Sequence, residues 1–375
     1  MDLEFSDDQE LLRETLAGFL TDRAPVGDFV RPLLDDPRGT TAAVHSGLAA
    51  LGLFGLLVPT SAGGSGAGMT DAGVVAEELG RALHPGPWIG TAVGAATVLS
   101  AFAAHERLPE LAAGTWLPTL AVHEPGHRYS WAEPSTTAVH DGAGWRLSGA
   151  KRHALHGGAA DAFIVAAGTP EGLGVFLVDA NAPGATVTIE DSIDGTRTTA
   201  RLDLAGAPAD CLGTGVDAGA ALAAGVDRVT VALVLDGVGA ARAALDLARG
   251  YSLERHQFGR PVGSFQAVQH LLVDMLTDLE LTRAGATYAL WAADGDDATE
   301  RHRAAALAKA QASHVLPRIG ADALQVFAGI GFTWEHDIHL YFKRLVGVAH
   351  LYGDEDHHLD ELATLVLDPT DSGGS

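Results

Sequence analysis

Cysteine and positive charge are both scarce in this sequence. Cys211 is the single cysteine of 375 residues, so no disulfide can form within the chain, and a reducing compartment suits it. Lys and Arg number 24 against 48 Asp and Glu, a formal net charge of -24. Nucleic acids and anionic membranes reward clustered Lys and Arg, so neither is expected as a partner. A phosphate-bearing ligand must then be met by a few local groups, which directs attention to Arg255 and Arg260.

The sequence also lacks a convincing leader or membrane span. Its acidic start, Met1–Phe5, does not have the charged-then-apolar layout of a signal peptide, and we expect a cytoplasmic protein. The uncharged run 85–104 approaches the length of a membrane span. It consists mostly of Gly, Ala and Thr, which predicts a buried helix instead.

Hydrophobic periodicity predicts helices, then strands, then helices. Helical spacing dominates the first third of the chain, with a capping-box signature at Ser6 and Gln9. Short β-branched runs separated by turn residues then predict antiparallel strands, at 117–122, 162–167, 174–178, 185–189 and 198–204. We therefore predict a helical domain at 1–114, a β-domain at 115–210, a helical domain at 217–367 and a disordered tail at 368–375.

The stretch 255–266 separates two long predicted helices. The first is expected at 227–254, and the second carries an apolar stripe that includes Val268, Leu272 and Met275. Gly259 and Pro261 would suffice for a turn, while Arg255 offers a guanidinium. The residues alone leave a plain helical hairpin and a ligand-contacting loop about equally open.

Two pairs of histidines were weighed as metal ligands. They are His336 with His339, and His357 with His358. Neither pair is accompanied by cysteines or by a regularly spaced second pair, so no metal site is predicted.

Five motifs distributed along the chain resemble those of the acyl-CoA dehydrogenase family. They are Gly52–Pro59, Glu77–Gly80, Arg255–Gly259, Gln266–Gln269 and Gln325–Phe332. The resemblance covers nearly the whole chain. It implies an α+β fold with an N-terminal helical domain, a middle antiparallel β-domain and a C-terminal four-helix-bundle domain. It further implies FAD, a homo- or hetero-tetramer, α,β-desaturation of an acyl-CoA thioester, and an electron-transfer flavoprotein or similar acceptor.

The resemblance also implies which residues contact FAD across a subunit boundary. Arg255 matches the arginine that faces the pyrophosphate, a role suited to a planar guanidinium. Gln257 and Gln266 fall at or beside matching contact positions. The segment that meets the adenosine half is matched by Gln325, Val326, Phe327, Ala328 and Gly329.

The matching positions for a subunit's own flavin and for the catalytic base depart from the family pattern. His123–Ser130 replaces the usual Thr-Glu-Pro-Gly motif, and His153-Ala154-Leu155 replaces Trp-Ile-Thr. Gly353 occupies the usual position of the base, and Val229 occupies an alternative one.

Asp354 and Glu355 are weak remaining candidates for the base, although Asp354 better suits the N-cap of a following helix. This pattern resembles the partner subunit of two-gene heterotetramers. The alternatives are a homotetramer that uses Asp354 or Glu355 as base, a flavin oxidase or monooxygenase on the same fold, and a non-catalytic scaffold.

Overall fold

A computed structural model describes residues 5–102 and 106–367. The predicted tail at 368–375 lies outside these ranges. By contact the chain divides into two compact units. One unit takes the chain as far as Gly27, then Gly73–Leu83, and everything from Thr230 onward; the other takes Asp28–Ala72 and His84–Val229. The domain boundaries expected from sequence remain a prediction.

Ten α-helices and nine strands are found in the described ranges. The helices are α1 Asp7–Arg23, α2 Ala42–Ala50, α3 Met69–Arg81, α4 Ala96–Ala101, α5 Leu108–Ala112, α6 Gly215–Glu254, α7 Gln266–Asp294, α8 Ala298–Phe327, α9 Ile338–His350 and α10 Glu355–Leu367. The strands are β1 Pro118–Ala121, β2 Thr137–His140, β3 Trp145–Leu155, β4 Ala162–Thr169, β5 Gly172–Asp179, β6 Ala185–Glu190, β7 Thr199–Thr214, β8 His256–Gln257 and β9 Arg260–Pro261.

The first helix begins as its sequence predicts. The Ser6 hydroxyl accepts a hydrogen bond from the Gln9 amide at 3.3 Å, and the Gln9 side chain accepts one from the Ser6 amide at 3.0 Å. Two amides that a helix start leaves without partners are thereby satisfied. The uncharged run near residue 90 is buried and helical, with a π-helical turn Ile89–Ala95 leading into α4.

Seven strands form one predominantly antiparallel sheet. The hydrogen-bonded order is β1-β4-β2-β3-β7-β5, β6 pairs with β7, and β5 returns to β4, which closes a ring of five strands. The pairings of β4 with β1 and with β2 are parallel, and the others are antiparallel. The ring encloses a core that includes Leu147, Phe163, Phe176 and Leu202.

Two strands of this sheet, β2 and β3, were not predicted from the sequence. β2 and β3 carry polar and charged side chains on their exposed face, and β3 contains Arg146, Lys151 and Arg152. They lack the unbroken apolar run that identified β4, whose first six residues are all buried. Strands with one solvated face alternate between apolar and polar residues and give a weaker signal.

A buried ion pair fixes α9 against α6 in the first unit. Arg344 donates from Nη1 to both carboxylate oxygens of Asp236, at 2.6 and 2.8 Å, and from Nη2 to the Leu83 carbonyl at 3.3 Å. Both side chains are at most 1% exposed. Removing either partner would leave a buried charge uncompensated, so the pair defines the position of α9.

Two helical stretches, Gly215–Glu254 and Ala298–Phe332, satisfy the length and composition of a membrane span. Within the protein, 67% and 50% of their most apolar windows are buried. Core helices of a helical domain meet the same criteria, so this is weak evidence for a membrane span.

Candidate functional site

The stretch after α6 is a β-hairpin, not a plain turn between helices. The Arg255 amide still donates to the Tyr251 carbonyl at 2.9 Å, which completes the last helical turn. Strands β8 and β9 then pair through His256 with Pro261 and Gln257 with Arg260. The two tip residues, Phe258 and Gly259, have φ of 52° and 79°. A two-residue hairpin turn with two left-handed residues favours glycine, so Phe258 is held in a disfavoured conformation.

The hairpin presents its polar side chains to solvent. Arg255 and Gln257 are exposed, as is Gln266 at the first position of α7. The Phe258 ring at the tip is 93% exposed. The ring packs edge-on against Phe265, with 6.1 Å between ring centroids, and lies outside the buried core.

A second predicted segment ends α8. The Gln325 side chain is exposed, whereas Val326 and Phe327 are buried. Ala328 has φ of 52°, and open space surrounds the position where Gly329 would carry a side chain. Val326 and Phe327 can therefore offer a ligand only their backbone, while Gln325 and Gly329 face outward. Contact of these residues with a cofactor remains a prediction.

An aromatic stack brings the two segments together. Tyr251, four residues before Arg255, stacks on Phe327 with 4.5 Å between ring centroids and 27° between planes. Phe327 also contacts His336, with 4.2 Å between ring centroids. Beside the stack lies a cavity of about 790 Å³, within the range of small-molecule sites. Its lining includes Tyr251, Glu254, Phe327, Glu78 and Arg81.

In the β-domain, Glu124 has a structural role. Its carboxylate accepts hydrogen bonds from Lys151 Nζ at 2.6 Å and from the amides of Ser135 and Thr136 at 2.6 and 2.9 Å. Burial alone would raise the pKa of Glu124, but bonds from Lys151 and Thr136 outweigh it and lower that pKa to about 2. Burial in turn lowers the pKa of Lys151 to about 8. The pair therefore holds the His123–Ser130 segment against β3, whatever ligand that segment meets.

Nearby, the residues at the family's Trp-Ile-Thr positions are otherwise engaged. Glu190 accepts from the His153 amide at 2.9 Å and from Arg152 Nε at 3.0 Å, and lies 3.0 Å from His153 Nδ1. Burial would raise the pKa of Glu190, yet bonds from His153 and Arg152 lower it to about 2. Leu155 is fully buried. The His153 imidazole thus faces Glu190, and the Thr199 hydroxyl is engaged as a donor to the same carboxylate at 3.1 Å.

The turn between α9 and α10 excludes a large side chain at Gly353. This residue has φ of 111°, and a Cβ there would lie 2.2 Å from His358 Nε2. A carboxylate-bearing residue would need both a strained backbone and displacement of that ring. The alternative position, Val229, is fully buried and apolar. Neither place can supply a base.

A buried lysine holds this turn. Lys309 donates to Ser313 Oγ at 2.9 Å and to the carbonyls of Ala349 and Gly353 at 3.2 and 2.5 Å. Three oxygens match the three donors of an ammonium group. Burial nevertheless lowers the pKa of Lys309 to about 7. His358 Nε2, 3.0 Å from the Tyr352 carbonyl, holds the preceding peptide.

The two weak candidates for a base both have other partners. The Asp354 carboxylate accepts from the His357 amide at 2.9 Å, which is the predicted N-cap of α10. The Glu355 carboxylate lies 3.1 Å from His314 Nδ1 and is 42% exposed. A water-accessible carboxylate that already faces His314 lacks the desolvated surroundings of a catalytic base.

Sequence reasoning missed three residues that organise these places, namely Tyr251, Lys309 and Glu190, and it considered His358 only as a possible metal ligand. Lys309 alone gave a usable signal, as a lone lysine on an alanine-rich helical stripe. The others act through partners distant in sequence, such as Phe327 for Tyr251. No periodicity reveals such pairs.

The chain belongs to the acyl-CoA dehydrogenase family. Models of the family's N-terminal, middle and C-terminal domains match residues 6–121, 119–205 and 220–367. The fold class expected from sequence is thereby confirmed, together with the family's reaction, the FAD-dependent dehydrogenation of acyl-CoA thioesters.

Similar proteins include one acyl-CoA dehydrogenase and two solved structures. Acyl-CoA dehydrogenase IpdE2 of Mycolicibacterium smegmatis is 33% identical over 96% of this chain and 100% of its own length. A solved structure described as the Tcur3481-Tcur3483 steroid ACAD G363A variant has a TM-score of 0.89 at 32% identity, covering 98% of this chain and 99% of that one. The ChsE4-ChsE5 complex from Mycobacterium tuberculosis has a TM-score of 0.88 at 26% identity, with both chains fully covered.

The residues of this chain fit only one half of an FAD site. Exposed Arg255, Gln257, Gln266 and Gln325, with the open backbone at Gly329, suit the pyrophosphate and adenosine of a cofactor held by another subunit. The β-domain positions for the chain's own flavin are occupied by the Glu190 cluster and buried Leu155. When bound, FAD would supply the hydride acceptor, while this chain's residues would place and hold it.

Proposed function

We propose that this chain is the partner subunit of a heterotetrameric acyl-CoA dehydrogenase and completes the FAD site of a catalytic sibling. The observation that carries the proposal is the contrast between two groups of positions in this chain, those that would contact a sibling's FAD and those that would hold its own flavin and base. The hairpin and the end of α8 present unengaged polar groups outward, whereas the positions for its own flavin and base are closed.

The closure of the base position is steric. A Cβ at Gly353 would lie 2.2 Å from His358 Nε2, so any side chain there requires that ring to move. Here the space is filled by the ring and by the Lys309 hydrogen bonds, which supports a subunit that binds no substrate at this place.

The exposed hairpin supports assembly with another subunit. Phe258 is 93% exposed, and Val273 and Leu276 on α7 are 58% and 41% exposed. Phe332 and Trp334, which follow the end of α8, are 74% and 64% exposed. Apolar contacts would exclude water from a pyrophosphate contact and strengthen it.

The sibling would supply the base and most of the flavin pocket. Its substrate would be an acyl-CoA, and the similarity to a protein described as a steroid ACAD favours a steroid-derived acyl group. Electrons would pass to an electron-transfer flavoprotein or similar acceptor, as the family resemblance implies.

The test is the flavin content of the complex. Arg255→Ala, co-expressed with the sibling, should remove a charge-assisted contact at a subunit boundary, which typically costs about 2–5 kcal/mol. FAD absorbance per tetramer should fall steeply while the complex stays intact. Arg255→Lys should restore it only in part, because an ammonium lacks the planar fork.

Arg249→Ala is the matched control, since Arg249 is an exposed arginine on the same helix. It should leave flavin content unchanged. An intact complex with full FAD occupancy in Arg255→Ala would refute the role in FAD binding. Flavin bound stoichiometrically by this chain expressed alone would instead indicate a complete homotetrameric enzyme.

A further inference from the structure

A second site lies at the junction of α8 and α10, where one carboxylate faces three imidazoles. Glu361 Oε2 is 2.9 Å from His358 Nδ1, and Oε1 is 3.4 Å from His357 Nε2. His302, on α8, places Nε2 3.8 Å from the same Oε1. The cluster therefore joins two helices through residues more than fifty positions apart in sequence, His302 on α8 and His357 on α10.

The three imidazoles are not equivalent. Both ring nitrogens of His358 already face oxygens, Glu361 Oε2 on one side and the Tyr352 carbonyl at 3.0 Å on the other. His358 is buried, so it fixes the orientation of the carboxylate. His302 and His357 are 40% and 23% exposed and turn Nε2 toward the remaining oxygen.

Two separations around Glu361 Oε1 are close to those between ligand atoms of a tetrahedral metal site. Zinc binds imidazole nitrogen and carboxylate oxygen at about 2.0–2.2 Å, and tetrahedral angles then separate neighbouring ligand atoms by about 3.4 Å. The observed separations from Glu361 Oε1 are 3.4 and 3.8 Å. Ligand atoms of His357, His358 and Glu361 all lie within 4.8 Å of one another.

We propose that His302, His357 and Glu361 bind a divalent cation of the zinc class, with His358 as the residue that orients Glu361. Metal-ligating carboxylates are commonly held by such an outer hydrogen bond. Two nitrogens and one oxygen suit Zn²⁺ or Co²⁺ better than Mg²⁺ or Ca²⁺, which prefer oxygen ligands. Water would complete the coordination on the exposed side.

The position of the site indicates a structural metal. A bound ion would join α10 to α8 next to the turn at Gly353, which His358 and Lys309 already hold. An ion that binds only the folded chain raises the free energy of unfolding. At ion concentrations above Kd, this increase grows with the logarithm of the ion concentration. This inference is independent of the proposed role in FAD binding.

The experiment uses the full chain, freed of any affinity tag and dialysed against a chelator. Titration with Zn²⁺ should give one tight site per chain and raise Tm. Co²⁺ should give the strong visible absorption of a tetrahedral site. His357→Gln and Glu361→Gln should each weaken Zn²⁺ binding by more than the roughly 10–100-fold that loss of an outer partner costs.

His314→Gln is the matched control. His314 and Glu355 form a similar exposed pair between α8 and α10, 3.1 Å apart, but with a single imidazole. Zn²⁺ affinity in this variant should equal that of the wild type. His302→Gln changes a partly exposed side chain on α8 alone, and it carries the test if either α10 variant fails to fold.

Three outcomes would overturn the proposal. The first is the absence of a stoichiometric Zn²⁺ site, and the second is a Co²⁺ spectrum of octahedral type. The third is an affinity that His302→Gln and His357→Gln leave unchanged, which would assign the binding to other histidines among the 17.

Discussion

Tyr251 stacks on Phe327, with ring centroids 4.5 Å apart, and this contact couples the end of α6 to the end of α8. Arg255 follows the first residue by four positions, and Gln325 and Gly329 flank the second. The stack therefore sets the distance between the two segments that we propose contact FAD. Neither ring needs to touch the cofactor to affect its binding.

A double-mutant cycle measures this coupling. Tyr251→Leu and Phe327→Leu should each destabilise the chain, and the double variant should lose less than the sum of the two. The difference should be about 0.5–1.5 kcal/mol, the value of a stacked aromatic pair beyond its buried area. Urea unfolding of all four proteins gives this number, and strictly additive losses would show that the rings act independently.

The same example separates what sequence could and could not predict. Arg255, Gln257, Gln266 and the segment from Gln325 to Gly329 could be proposed as cofactor contacts because each belongs to a short contiguous motif. The stack was not found, since seventy-six positions separate Tyr251 from Phe327 and no local pattern records the contact. The Glu190 cluster and the Lys309 hydrogen bonds were missed for the same reason.

Glu124 gives a prediction about acid stability. Its pKa of about 2 in the folded chain lies below the ordinary 4.5, so the folded form binds protons less readily than the unfolded form. The resulting stability is fully present above pH 4.5 and is lost as the pH falls toward 2, on the order of 3 kcal/mol in total. Glu124→Gln should remove this component.

The comparison is the free energy of unfolding at several pH values. At pH 7 the Glu124→Gln variant should be strongly destabilised, because Lys151 is left buried without its partner. The deficit relative to wild type should shrink as the pH falls below 4.5. Glu133→Gln, at an exposed position in the same region, serves as control. An equal deficit for Glu124→Gln at pH 7 and pH 3 would contradict this account.

Lys309 should produce a dependence of the same sign at higher pH. Burial lowers its pKa to about 7 from the usual 10.5, so between these values the unfolded chain binds the additional proton. Stability should therefore rise with pH across this window, by at most about 1.4 kcal/mol per pH unit. Lys309→Met has no amine and should lack that component.

The measurement is the difference in unfolding free energy between wild type and Lys309→Met at pH 6.5, 8 and 9.5. The contributions of all other titratable groups are common to both proteins and cancel in this difference. If the unfolding free energies of the two proteins change with pH in parallel, the folded chain accommodates the ammonium and amine forms of Lys309 equally well.

The order of helices, strands and helices followed from periodicity because most of these elements bury one continuous face. The helix at 227–254 was predicted too short: α6 begins at Gly215. Gly and Ala dominate its first turns and supply little hydrophobic contrast. Likewise β3 escaped notice because Lys151 is buried through an ion pair, and sequence alone suggests an exposed loop. Buried charges invert the relation between polarity and exposure on which such reasoning depends.

Asp354 and Glu355 provide the last prediction, on the catalytic base. Asp354 caps α10 through the His357 amide, and Glu355 is paired with His314 at the surface. Neither carboxylate combines desolvation with freedom to accept a proton. We expect the isolated chain to leave its flavin oxidised when an acyl-CoA is added, even where added FAD is bound.

In the complex with the sibling, Asp354→Asn and Glu355→Gln should change the rate of flavin reduction by less than about threefold, a barrier change under 1 kcal/mol. Asp354→Ala should lower Tm, since loss of an N-cap costs about 1 kcal/mol, and Asp354→Asn should retain the cap. Stopped-flow absorbance follows the flavin, and circular dichroism follows Tm. A fall in rate of a hundredfold or more in Asp354→Asn, with Tm unchanged, would make Asp354 the base. This chain would then be a catalytic subunit, because a cap that asparagine preserves cannot account for such a loss.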